Sequence, residues 1–133
     1  MITEPISVVI VESQPLMRTA LSTALSAEGM TVLAEIIESK NTLQTVKKLT
    51  PNLILFSVSH PSLNDLKMIS ALRQELPSAS ILALVTGEFR GQEQSALEHG
   101  AHAVVTKTAP RSVLLNAIKR LQKFQPAGNL STH

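Results

Sequence analysis

Short β-branched runs alternate with helix-period segments along the whole of this chain, and that alternation restricts the fold more than any other feature. Ile6 to Val11 suits a strand buried on both faces. Ser13 then offers an N-cap oxygen and Pro15 suits a first helical turn, with Met17, Leu21, Ala24 and Leu25 at helical spacing before Gly29. Thr31 to Ile36 reads as a second strand, and Ser39 opens a second helix carrying Leu43, Val46 and Leu49 until Pro51 stops it. Asn52 to Val58 is the third and most apolar strand. A helix spanning Ser62 to Leu76 carries Leu66, Ile69 and Leu72, and Pro77 breaks it. Ser80 to Val85 is the fourth strand, a short helix runs from Gln92 to Glu98, and Ala103 to Thr106 is the fifth strand. Pro110 starts a last helix with Leu114, Ala117, Ile118 and Leu121 on one face. Five strand-helix units in strict alternation predict an α/β fold, a parallel sheet covered by helices on both sides.

The 133 residues suffice for one domain with a single ordinary core. That core must be aliphatic, because the chain has three Phe and no Trp or Tyr. The same scarcity removes the stacking platforms on which single-stranded nucleic acids are bound. There is no cysteine, which excludes disulfides and thiolate metal sites. No apolar run approaches the roughly 18 residues of a membrane span, and no secretory signal pattern opens the chain, so a cytoplasmic location is expected. The net charge of +2 implies no electrostatic footprint by itself. From Lys107 to Lys123, however, five residues are basic and none is acidic, which suits either a solvated helix face or a partner-binding one. Residues 125–133 (QPAGNLSTH) change composition and read as a linker or tail, which sets a domain over 1–124.

In an open doubly wound sheet, working groups gather at the carboxyl ends of the strands, near the point where the strand order reverses. That rule selects Glu12 and Ser13, Ser57, Thr86 and Lys107. The surrounding segments, VVIVESQPLMRTAL at 8–21, PNLILFSVSHPSL at 51–63, ILALVT at 81–86 and EHGAHAVVTKTAP at 98–110, resemble the receiver domain of bacterial two-component response regulators. The spacing of Gly100-Ala101 from Lys107 carries the resemblance furthest. Lys107 without a following proline, and Gln14-Pro15-Leu16, suit receivers attached to helix-turn-helix DNA-binding domains.

The resemblance implies a flavodoxin-like (βα)5 topology with strand order 2-1-3-4-5. It also implies an acidic pair after the first strand and an acceptor aspartate at the end of the third, which together hold Mg²⁺. Here the pair has become Glu12-Ser13 and the acceptor position is Ser57, while Thr86 and Lys107 match the family's phosphoryl-contacting residues. The switch aromatic of the family is replaced by Val104. One carboxylate beside a lysine is a poor Mg²⁺ site, so weak or absent Mg²⁺ binding and no other cofactor are expected. A serine hydroxyl is also a weak nucleophile unless a base activates it, and the sequence alone offers none. Asp65, the chain's only aspartate, falls in the first turn of the following helix and is a poor substitute.

The leading expectation is a non-enzymatic pseudo-receiver that regulates or dimerises without phosphorylation, serving an output domain outside this chain. An ion pair between Glu12 and Lys107 would fill its pocket. Homodimer contacts are expected from Arg111, Lys119, Arg120 and Lys123, with DNA reached only through that output domain. A stand-alone adaptor for other signalling proteins is the alternative. An enzyme using Ser57 and His60 lacks a Gly-x-Ser-x-Gly elbow. A flavin or cobalamin module lacks the phosphate-cradling loop and the Asp-x-His-x-x-Gly pattern of such domains.

Overall fold

The computed structural model describes residues 5–58, 63–88 and 90–123. Five strands and five helices alternate: β1 (Ser7–Val11), α1 (Pro15–Ala27), β2 (Thr31–Ile36), α2 (Thr42–Leu49), β3 (Leu53–Val58), α3 (Leu63–Glu75), β4 (Ser80–Val85), α4 (Gln92–Glu98), β5 (Ala103–Thr106) and α5 (Arg111–Lys123). All strand pairs are parallel and the sheet order is β2-β1-β3-β4-β5. This is the expected doubly wound, flavodoxin-like architecture.

Residue parity sorts the core. Val9, Val11, Ile54, Phe56, Ile81 and Ala83 face one side, where Val46 of α2, Ile69 and Leu72 of α3 and Ala96 of α4 cover them. Val8, Ile10, Leu53, Leu55, Leu82 and Leu84 face the other, under Leu21 and Leu25 of α1 and Leu114, Ile118 and Leu121 of α5. β3 and β4 are buried at every position, which explains their unbroken apolar runs. β2, at the edge, alternates exposed and half-buried residues instead. No helix among the described residues is long and apolar enough to cross a membrane.

Two helix starts differ from expectation. Ser13 does not cap α1: the N-cap is Gln14, without a side-chain cap bond. The Glu12 carboxylate takes the Gln14 N–H instead, at 3.0 Å. α2 begins at Thr42 rather than at Ser39. Ser39 belongs to the turn before it, donating its N–H to Thr42 Oγ1 (2.9 Å) and accepting the Asn41 N–H on Oγ (3.1 Å). At α1 the Glu12 carboxylate thus holds the N-cap's own N–H, and at α2 the Ser39 and Thr42 hydroxyls bond within the turn ahead of the helix. The expected start of α3 at Ser62 and the tail at 125–133 lie outside the described residues.

Candidate functional site

Strand order reverses at β1, because the chain moves outward to β2 and then crosses back to place β3 on the other side. The β1-β3 register runs Val8↔Leu53 to Val11↔Phe56, so one further step sets Glu12 beside Ser57. β5 extends into Lys107, whose backbone N–H bonds the Val85 carbonyl of β4 at 2.7 Å. Three chain segments thus bring one carboxylate, one hydroxyl and one ammonium to the carboxyl end of the sheet.

Glu12 is 1% exposed, and every bond around it answers its charge. Ser57 Oγ donates to Oε1 at 2.6 Å, Lys107 Nζ lies 3.2 Å from the same oxygen, and the Gln14 N–H reaches Oε2 at 3.0 Å. Burial pulls the Glu12 pKa upward. The Gln14 N–H, the Ser57 hydroxyl and the Lys107 ammonium together outweigh it and hold the carboxyl below its usual value. The short Ser57 bond is a charge-assisted one. Arg18 closes the outer side, donating from Nη1 to the Glu12 carbonyl at 2.8 Å.

The anticipated Glu12-Lys107 ion pair is therefore present. The expectation that no base lies near Ser57 is corrected: the Glu12 carboxylate accepts a hydrogen bond from its hydroxyl. Strand register was the signal that could have revealed this contact. Ser13 is exposed and adds nothing to the cluster, and Asp65 lies in the first turn of α3 as expected. His60 lies outside the described residues.

Thr86 is not drawn into the cluster. Its hydroxyl donates to Gln92 Oε1 at 3.2 Å and accepts the Glu88 N–H at 3.3 Å, while the Gly87 N–H also bonds Gln92 Oε1 at 3.0 Å. Sequence reading missed Gln92, since nothing in a lone glutamine announces burial. Val104 is half-buried, packing on the α2-α3-α4 side of the sheet and lining a groove of about 550 Å³ with Val113, Asn116, Ala117 and Arg120. The two arginines of α5 border different hollows. Arg120 borders that groove, whereas Arg111 borders a separate crevice between α1 and α5 with Met17, Ala20 and Lys107. α4 carries Glu93 and Glu98 and no basic residue, while α5 carries only basic charges.

Among the described residues, no group of three or more His, Cys, Asp or Glu side chains could hold a metal ion. The donor set at the strand ends is a single carboxylate, and that one is already paired.

A five-unit sheet with its polar residues gathered at these strand ends defines a receiver-type signalling domain. Residues 8–119 match the response regulator receiver domain family, and the chain belongs to it. It is 28% identical over 116 residues to the transcriptional activator protein ExaE of Pseudomonas putida. It is 27% identical to the nitrate/nitrite response regulator protein NarP of Escherichia coli (strain K12). Each match covers 86% of this chain and 54% of the relative, so the chain spans about half the length of these curated relatives. Among solved structures, the receiver domain of the putative response regulator NarL from Mycobacterium tuberculosis aligns with a TM-score of 0.79 at 25% identity, covering 91% of this chain and 98% of that one. The isolated receiver domain of RcsB from Salmonella enterica serovar Typhimurium aligns with the same TM-score at 21% identity, covering 92% of this chain and 91% of that one.

Proposed function

We propose that this receiver domain regulates without phosphoryl transfer, as the input or dimerisation module of a transcription regulator whose output domain lies outside this chain. The observation that carries the reading is the paired carboxylate at the strand ends, where Ser57 and Lys107 both already meet Oε1 of Glu12. Mg²⁺ needs several hard oxygen ligands, with carboxylates supplying counter-charge. One carboxylate paired with an ammonium does not fit it. With no metal, the charge that develops on a transferring phosphoryl group would meet only Lys107.

Catalysis by Ser57 is disfavoured on the same geometry. A carboxylate held below its usual pKa is a weak general base. At 7% exposure, Ser57 Oγ also offers little approach to a substrate. Titration with Mg²⁺ and a beryllofluoride phosphoryl mimic, followed by amide chemical shifts, tests the reading. No saturable change near Ser57 is expected; tight saturable binding there contradicts it.

Relatives described as transcriptional activators support an output in transcription, with DNA reached through a further domain. Dimerisation by the α4-β5-α5 side is supported by its charge layout. Two copies related by a twofold axis would set acidic α4 against basic α5 twice, with Leu97 and Val113, both 44% exposed, between them. A cytoplasmic location follows from this role. An adaptor for another protein would use the same face, and sedimentation of the purified chain separates the two, since only the dimer changes mass with concentration.

A further inference from the structure

Gln92 opens α4, a position where a glutamine normally faces water, yet it is 6% exposed. Its Oε1 accepts both the Thr86 hydroxyl and the Gly87 N–H. Gly87 and Gly91 turn the intervening loop with φ of +81° and +79°, backbone that residues with a β-carbon rarely adopt. The chain therefore folds back on itself, and one amide oxygen clasps the two ends.

The orientation of that amide follows from its partners. Rotated by half a turn, it would point its NH₂ at the Gly87 N–H, donor against donor. As it stands, Gln92 Nε2 is buried with no hydrogen-bond partner among the described residues. A buried, unsatisfied donor is unfavourable, so the two bonds on Oε1 and the burial of the side chain must outweigh it.

The clasp consumes Thr86. Its single hydroxyl proton goes to Gln92, and its oxygen accepts from Glu88. Among the described residues, no hydrogen bond joins this cluster to Glu12, Ser57 and Lys107. We propose that Gln92 is a positioning residue that fixes the β4-α4 loop and the start of α4, so that a change of charge in the Glu12-Ser57-Lys107 pocket does not reach α4. This concerns transmission from the pocket, whichever ions the pocket takes, so its failure is separable from that of the function above.

Amide chemical shifts and hydrogen exchange on the full chain test it with Glu12→Gln, Gln92→Met and the double variant. Glu12→Gln removes the carboxylate charge with little change of shape and leaves the Lys107 ammonium without its counter-ion. In the otherwise unmodified chain it should shift Gln14, Ser57 and Lys107 amides and leave those of α4 in place. Gln92→Met keeps side-chain length and removes the acceptor, so Gly87 exchange should quicken about tenfold, as expected for loss of one good hydrogen bond. In that background Glu12→Gln should now move the α4 amides.

Any of three results overturns the proposal: α4 shifts on Glu12→Gln alone, unchanged Gly87 exchange in Gln92→Met, or a silent α4 in the double variant. If Gln92→Met does not fold, the unmodified chain still decides. The clasp requires the Gly87 amide to exchange about tenfold or more below its unfolded-chain rate. An unprotected Gly87 overturns it.

Discussion

At the scale of single residues, Glu12 governs the pocket because it is the one buried charged side chain among the described residues and both other members of the cluster bond it. Replacing Lys107 with Met would leave a buried carboxylate without its cation. Such half-removal of a buried pair costs about 3–5 kcal/mol, and the lower end applies because Lys107 keeps some contact with water. Urea unfolding of Lys107→Met at neutral pH measures this. Ser57→Ala removes one charge-assisted bond and should cost about 1.5–3 kcal/mol by the same assay. The sign of the pH dependence follows from the lowered Glu12 pKa. Its contribution to stability is fully present above the usual carboxylate value of 4.5 and is lost as pH falls through the lower folded value. The urea midpoint of the unmodified chain should therefore drop below about pH 4.5, and Lys107→Met should flatten that part of the drop. The contact between Glu12 and Ser57 was hidden in the sequence because the two lie 45 positions apart. Only the β1-β3 register makes them neighbours.

At the scale of elements, the joint between β4 and β5 contains its own titrating group. The Ile81 N–H donates to His102 Nδ1 at 3.0 Å, and the His102 N–H returns to the Ile81 carbonyl at 2.8 Å. Burial, and then the charge of Arg73, hold the His102 pKa below its usual 6.5. A protonated Nδ1 could not accept the Ile81 N–H, so this contribution is present above about pH 6.5 and is lost as pH falls through the folded value. Protection of the Ile81 amide, relative to its unfolded-chain exchange rate at each pH, should fall across that window, and in His102→Ala it should be lower and lack this pH dependence. At the α4-β5-α5 side, Lys119→Glu with Arg120→Glu should weaken self-association measured by sedimentation, and Glu93→Lys with Glu98→Lys should restore it. The elements themselves were largely legible. β3 and β4 announce themselves because both faces are buried, and α5 because its apolar residues keep one stripe. Helix starts were not legible at α1 and α2, where the Glu12 carboxylate holds the Gln14 N–H and the Ser39 and Thr42 hydroxyls bond within the turn ahead of the helix. The basic run of α5 was visible, but its division between two crevices depends on how the helix rolls against β5.

At the scale of the whole molecule, the fold keeps the receiver's frame while the pocket and the β4-α4 loop each close on themselves. The sequence carried the strand order through resemblance and the site through the rule of strand ends. It did not carry Gln92, because burial of a lone polar residue depends on a loop turning back at Gly87 and Gly91. Restoring the acceptor carboxylate alone should be harmful. An aspartate at 57 would stand against Glu12 with one lysine between them, and two close carboxylates resist joint ionisation. Ser57→Asp should thus be less stable than the unmodified chain at neutral pH and should recover as one carboxyl takes a proton.

The same variant tests the central claim most directly, by intact-mass measurement after incubation with acetyl phosphate and Mg²⁺. Because the pocket retains one native carboxylate and Thr86 is engaged by Gln92, no phosphoryl adduct is expected on Ser57→Asp. Ready labelling of Ser57→Asp, in an adduct released by hydroxylamine as an acyl phosphate is, would contradict it.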